Sequence, residues 1–233
     1  MVREIDIDIE CWYQKYCGVR DIEPDMPDYP KCKKSCPMYL GMNFLMQNCG
    51  MPDAYPYIIR LTPPDEDIEA FKKLGDIKDN IDEFIKYGNN ILIESIKAQT
   101  AKTTWSLKLM YRYFDKIWVG NGFTIRGYFV HVPSFLNDLK NYKYINSDDF
   151  RTKDKLIKNV DIVIWDDLIQ PLNQEEQITL TSYISRRILE KKSNIFNGRV
   201  VKNRSNLIGN RLDEYLNLAN EKILFKSDSF RKN

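Results

Sequence analysis

Residues 96–106 read Ile-Lys-Ala-Gln-Thr-Ala-Lys-Thr-Thr-Trp-Ser (IKAQTAKTTWS), and the reading of this stretch decides the fold. Before it, ILI at 91–93 is a short apolar run suited to a buried strand; after it, TTWSLKLMYRYF at 103–114 has the spacing of an amphipathic helix. A strand, a loop ending in Lys-Thr and a helix together form a phosphate-binding arrangement. Backbone N–H groups converge at the helix N-terminus, the Lys neutralises charge, and the next hydroxyl reaches Mg²⁺. Lys102 and Thr103 stand at those two positions. The glycines do not: Ile96, Gln99 and Ala101 occupy the places where G-x-x-G-x-G-K-T puts Gly. A left-handed backbone at any of them would cost about 1–2 kcal/mol, and each added Cβ crowds a phosphate.

Taken alone, Lys-Thr at a helix start is ordinary surface chemistry. A second feature changes the balance. Asp161-Ile-Val-Ile-Trp-Asp166-Asp167 is an apolar strand ending in two carboxylates, the arrangement that orders Mg²⁺ and positions an attacking water beside a phosphate loop. Both features end short buried strands, so their joint occurrence favours a nucleotide site over two coincidences.

The rest of the chain after Asn90 agrees with this. GYFVHV at 127–132 is a second strand, Ser134 to Lys140 begins a helix, and Asn173-x-x-Glu176 is a capping box opening a helix that carries Ile178, Tyr183, Ile184 and Ile188. Residues 194–201 and KILF at 222–225 supply two more strands. Strands alternating with helices predict an α/β fold, a parallel sheet with helices on both faces. Upstream, Ile77, Ile81, Phe84 and Ile85 repeat on one helical face that closes at Gly88. Pro52, Pro56, Pro63 and Pro64 punctuate the segment before it. The expected organisation is a Cys-rich head at 1–52, a linker and helix at 53–88, and a nucleotide-binding domain at 89–233.

With 43% hydrophobic and 29% charged residues in 233, the chain can bury a full core. Its formal net charge of +2 does not favour avid duplex-DNA binding, which needs many phosphate contacts. No apolar run is long enough to cross a bilayer, and the first residues, MVREIDIDIE, are too acidic for a secretion signal. A cytoplasmic protein with no membrane partner is expected, and there cysteines serve as thiols or metal ligands. Cys11-x5-Cys17-x14-Cys32-x3-Cys36 is compatible with a four-thiolate Zn²⁺ site, although its first spacing is wider than usual. Buried free thiols are the alternative, and Cys49 reads as a packing residue. His131, the only histidine, ends a strand, so no His-based nucleophile system can be assembled.

Three surface stretches invite a partner. Lys140-Asn-Tyr142-Lys143-Tyr144 mixes cations with aromatics, as single-stranded DNA binding would require, or is a solvated helix end. Arg186-Arg187 would face DNA or a neighbouring subunit's nucleotide, or simply solvent. The apolar run Tyr39, Leu40, Met42, Leu45 and Met46 would offer a docking face, or pack inside.

Across nearly its whole length the chain resembles the bacterial and phage helicase-loader ATPases of the AAA+ superfamily (DnaC/DnaI type), especially those of phages of low-GC Gram-positive bacteria. The resemblance rests on the order of the Cys-rich head, PDEDIEAFKKLGDIKDNIDEFIKYGNNI, KTTWSLKLM, GYFVHVPSFLNDLK, DIVIWDD, SNIFNG, IGNRL and KILFKSDSFR. It implies an AAA+ P-loop core that binds ATP and Mg²⁺, a zinc-bearing head that grips the replicative helicase, and delivery of that helicase to single-stranded DNA by a homo-oligomer. Lys102, Thr103 and the adjoining Thr104 would hold the phosphates, with Asp166 the Mg²⁺ partner and Asp167 the water-orienting acid. Arg231, in Ser229-Phe230-Arg231, would be the sensor-2 arginine, a role suited to a permanently charged forked donor.

The departures matter as much. The polar sensor-1 position falls near Arg199, with Asn197 close by. Of two arginines expected four residues apart on the C-terminal helix, Arg211 matches the first and Tyr215 replaces the second. A Tyr cannot supply the transition-state charge of an arginine finger, worth about 10³–10⁵ in rate in P-loop enzymes. The alternatives are therefore a hydrolysis-deficient adaptor that binds the helicase without turnover, and a DNA-acting AAA+ initiator or transposition helper.

Overall fold

The computed structural model describes residues 37–51, 61–97, 101–118, 120–145 and 148–227. Five parallel strands form one sheet. β1 (Asn90–Ser95) is central, flanked by β4 (Ser193–Arg199) and β5 (Glu221–Phe225). β3 (Ile162–Asp166) pairs with β4, and β2 (Gly127–His131) closes the far edge, giving the order β2-β3-β4-β1-β5. The chain leaves β1 for the far edge, returns through β3 and β4 to β1's side, and then crosses to β5. The carboxyl ends of β1, β3 and β4 are thereby brought side by side, the usual place for a ligand crevice in an open α/β sheet.

Alternation along the strands separates two apolar layers. Ile91, Ile93, Ile162, Ile164, Ile195 and Ile223 face one; Leu92, Val163, Trp165 and Phe196 face the other. The first layer is covered by α1 (Pro37–Gln47), α2 (Ile68–Asp79), α3 (Ile81–Lys86) and α4 (Lys102–Ile117). The second lies under α5 (Val132–Ile145), α6 (Asp148–Asn159), α7 (Gln174–Leu189), α8 (Arg204–Ile208) and α9 (Asn210–Asn217). The expected parallel sheet with helices on both faces is what the chain forms. Among the described residues no helix is long and apolar enough to cross a membrane.

Several local expectations meet their physical cause here. The capping box is complete: Glu176 N donates to Asn173 Oδ1 at 3.0 Å and Asn173 N to Glu176 Oε2 at 2.9 Å. Gly88 has φ +65°, and a Cβ there would lie 2.4 Å from the Lys191 carbonyl oxygen, so the turn into β1 admits only glycine. The single helix read across residues 77–85 is two, because Asn80 (φ −106°, ψ 31°) breaks it.

The apolar run in the expected head behaves differently from a docking face. Met42, Leu45 and Met46 are buried in the first layer with Met110 and Phe114 of α4, and Leu40 is exposed. Each such side chain contributes about 1.5–3 kcal/mol by leaving water, so this surface is not spare. Cys49 is fully buried as a packing residue, and its carbonyl accepts Phe129 N at 2.7 Å, covering part of the β2 edge. Within residues 37–51, Met42, Leu45, Met46 and Cys49 thus pack into the first apolar layer. Cys11, Cys17, Cys32 and Cys36 lie outside the described residues.

Candidate functional site

Where β1, β3 and β4 end, a connected set of polar side chains replaces the apolar core. Lys102 and Thr103 open α4, Asp166 ends β3, Asn197 sits in β4 and Ser95 is the last residue of β1. Thr103 Oγ1 donates to Asp166 Oδ1 at 2.9 Å, and Asn197 Nδ2 donates to the same oxygen at 2.8 Å. Asn197 in turn accepts from Ser106 Oγ at 2.9 Å, one helical turn along from Lys102, whose carbonyl Ser106 also reaches at 3.0 Å. Lys102 Nζ donates to Ser95 Oγ at 2.6 Å.

The electrostatics follow from burial. Asp166 is 5% exposed, and loss of hydration pushes its carboxyl above the usual range against the opposing hydrogen bonds from Asn197 and Thr103. Both donors use Oδ1, and among the described residues no Lys or Arg nitrogen lies within ion-pair distance of Asp166. Burial lowers the Lys102 pKa, the charges of Asp167 and Asp166 oppose that, and Arg199 adds to it. The arrangement is a buried carboxylate beside a hydroxyl and an ammonium, able to take a divalent cation and anionic phosphates between them.

Asp167 is held apart from Asp166 by its backbone. Its φ of 53° turns the chain sharply at the end of β3, a conformation uncommon outside glycine but tolerated by Asp. Its side chain is 67% exposed, with His131 Nε2 at 3.6 Å. His131 is the expected strand-end residue, its Nδ1 2.8 Å from Ser134 Oγ. Thr104 is half-exposed on the first turn of α4.

The missing glycines cost less than the pattern implies. Ala101 has φ −74°, an ordinary value, and Ile96 is absent from the positive-φ residues of the described chain. No left-handed strain is stored at either; Gln99 lies outside the described residues. Ile96 N donates to Phe225 O at 3.0 Å, fastening the start of the loop to the end of β5.

The other expected site residues are dispersed. Arg211 is exposed on α9, beside a groove shared with Gln177 and Ile178 of α7. Tyr215 is partly buried against the second apolar layer. Arg199 is the exposed last residue of β4, in register with Ser95, so the polar strand position next to Asp166 is filled by Asn197 and not by Arg199. Arg231 lies outside the described residues.

One surface candidate is corrected. Arg187 faces neither DNA nor a neighbour: it is fully buried, donating to the carbonyls of Ile157, Val160 and Ser193 at 2.7–2.9 Å and to Asn194 Oδ1 at 2.8 Å. Arg186 pairs with Glu190 on the helix surface. Lys140 is bound to Glu176 at 2.8 Å, and Tyr142 stacks on Phe150 at 4.6 Å between ring centroids; the side chains of Lys143 and Tyr144 lie outside the described residues. Sequence reasoning missed Ser95 and Ser106 altogether. Their signal is a polar residue where the pattern calls for an apolar one: Ser95 at the end of NILIES, and Ser106 on the inward face of α4.

No protein-family model matches the sequence, and no curated protein does. Solved structures do match the fold. The DnaC helicase loader superposes with a TM-score of 0.60 at 17% identity, over 77% of this chain and 97% of that one. DnaI gives 0.53 at 15% identity, over 78% and 92%. The replication initiator DnaA, bound to AMPPCP and single-stranded DNA, gives 0.57 at 14% identity, over 75% of this chain and 50% of DnaA. The chain thus spans about half of DnaA and nearly all of the two loader structures. At these identities the likeness shows the fold alone, the parallel-sheet α/β core that these AAA+ domains share.

Proposed function

We propose that this chain is a DNA-replication protein of helicase-loader type whose AAA+ domain binds ATP with Mg²⁺. The observation that carries the proposal is the Thr103–Asp166–Asn197 cluster: a buried carboxylate whose two donors both occupy Oδ1, at the carboxyl edge of the sheet, with Lys102 opening the adjacent helix. The residues present fit the group. Thr103 and Asp166 offer two hard oxygens side by side, and Ala101 needs no left-handed backbone to precede Lys102. Mg²⁺, when bound, would supply the divalent charge that lets phosphates approach Asp166.

In this reading Lys102, Thr103 and Thr104 hold the phosphates, Asp166 the metal, and Asn197 fixes the Asp166 rotamer. Asp167 orients water, and Arg231 contacts the terminal phosphate. Arg211, exposed on α9, is available to a nucleotide carried by a neighbouring copy. The head would hold zinc through Cys11, Cys17, Cys32 and Cys36 and contact the replicative helicase, and single-stranded DNA is the second partner, as in the DnaA complex the fold resembles.

A second reading, the adaptor that binds helicase without turnover, is favoured by Tyr215, which is partly buried and brings no cation to the site. Calorimetry of the full-length protein with ATP–Mg²⁺, with zinc measured on the same preparation, tests the first. Micromolar binding that Lys102→Ala weakens at least about tenfold, the loss of one charge-assisted contact, supports it. Absence of binding by the wild-type protein refutes it in favour of the adaptor.

A further inference from the structure

Ser95 ends the central strand and is pinned on both sides. Its carbonyl accepts Val200 N at 2.9 Å, the next residue, Ile96, donates to Phe225 O at 3.0 Å, and its Cα is in register with Arg199 and Phe225. Its side chain is fully buried. A hydroxyl has one proton to give, and Ser95 Oγ directs it to the Lys97 carbonyl at 2.7 Å. That choice turns the lone pairs of Oγ toward Lys102, whose ammonium sits 2.6 Å away. Lys102 is itself only 7% exposed. The cation is therefore drawn down to the rigid edge of the sheet by an acceptor that the loop's own backbone orients.

We propose that Ser95 is a positioning residue for Lys102: it parks the ammonium against the end of β1, and a phosphate competes with this hydroxyl for where the cation sits. The inference rests on the nucleotide-binding reading above and names what competes with the ligand. A charge-assisted hydrogen bond in a dry site is worth more than the same contact in water, so leaving Ser95 is a real cost to binding. A phosphate oxygen offers a full negative charge and repays it, and the resting site is held in a low-affinity state.

The test uses the full chain and two readouts. ATP–Mg²⁺ affinity is measured by calorimetry for the wild type, Ser95→Ala and Ser95→Thr. Without nucleotide, the acetylation rate of Lys102 by limiting acetic anhydride is followed by mass spectrometry, with exposed Lys72 and Lys73 as internal controls for an intact fold. Ser95→Ala is expected to lower Kd about three- to tenfold and to speed Lys102 acetylation by a similar factor, the scale of one net hydrogen bond. Ser95→Thr keeps the hydroxyl and stays near wild type in both. A Ser95→Ala protein with an unchanged or higher Kd, or with unchanged Lys102 acetylation, overturns the inference while leaving the nucleotide site standing. A wild type that binds no ATP–Mg²⁺ overturns both.

Discussion

Replacing Asp166 by Asn should make the free protein more stable while abolishing its response to ATP–Mg²⁺. The amide oxygen of Asp166→Asn can keep both donors, Thr103 Oγ1 at 2.9 Å and Asn197 Nδ2 at 2.8 Å, so the hydrogen-bond pattern survives. What changes is the charge. Those two bonds to a carboxylate are each stronger than to an amide by about 1 kcal/mol, which argues against the substitution. Against this stands the desolvation of a buried carboxylate, several kcal/mol before relaxation. The direction of the Asp166 pKa decides the balance: it is raised, burial outweighing both hydrogen bonds, so the site prefers a neutral group. The neighbouring Asp167 carboxylate, which repels Asp166, becomes a favourable neighbour of an amide. A net gain of about 1–2 kcal/mol is expected, the usual size for removing a functional charge, or about 2–6 °C in Tm for a chain of this length.

The sign with pH follows. Because the native carboxyl holds its proton more tightly than the unfolded one, its penalty is fully present above the raised native pKa. The penalty fades as pH falls through that value toward 3.8, the ordinary one. The stability gap between variant and wild type should be widest near neutral pH and shrink on acidification. Urea unfolding at pH 7.5 and 5 reads this gap directly. ATP–Mg²⁺ should raise the wild-type Tm and leave Asp166→Asn unmoved. A variant less stable than wild type at pH 7.5, or a gap indifferent to pH, would refute the reasoning.

Two structural residues carry further predictions. Arg187→Met fills a similar volume but takes the guanidinium donors from the Ile157, Val160 and Ser193 carbonyls, while Asn194 Oδ1 keeps Trp165 Nε1 at 3.0 Å. At about 1–3 kcal/mol for each of the three carbonyls, a loss of at least about 3 kcal/mol in chemical denaturation is expected; a loss under about 1 kcal/mol would show the guanidinium to be dispensable. Asp67, fully buried before α2, accepts Lys226 N at 2.8 Å and Ser227 N at 3.1 Å. Asp67→Ala should cost about 2–5 kcal/mol and speed hydrogen exchange at those two amides, while the Phe225 amide within β5 changes least.

Much of the fold was legible because its signals are local and redundant. Each strand announces itself by a short apolar run, and Asn173 with Glu176 marks a helix start that the structure reproduces contact for contact. The misreadings share one cause, the ambiguity of amphipathic residues. Arg187 and Arg186 are neighbours of one type in the sequence, yet one is sealed under the carbonyls that end α6 and the other is on the surface. Nothing in the immediate sequence distinguishes them; the difference lies in what α6 and β4 bring from elsewhere in the chain. Likewise Met42, Leu45 and Met46 read as a spare apolar face only while α4, the helix they cover, is out of view.

The phosphate loop shows where pattern reading ends and geometry begins. A missing glycine has two distinct effects, backbone strain and steric crowding, and a motif does not say which applies. At Ala101 the φ of −74° removes the first, so the position before Lys102 tolerates alanine without strain. Ala101 is also buried with the first apolar layer, so its Cβ is committed to packing. In the nucleotide-binding reading Lys102 carries the anion-binding charge, and Lys102 is the group that Ser95 holds. Ala101→Gly, which loosens the backbone before Lys102, and Ser95→Ala, which removes a hydroxyl partner of its ammonium, therefore act on one side chain. Their effects on ATP–Mg²⁺ affinity should couple, and a double-mutant cycle that finds them additive within about 0.3–0.5 kcal/mol would refute this.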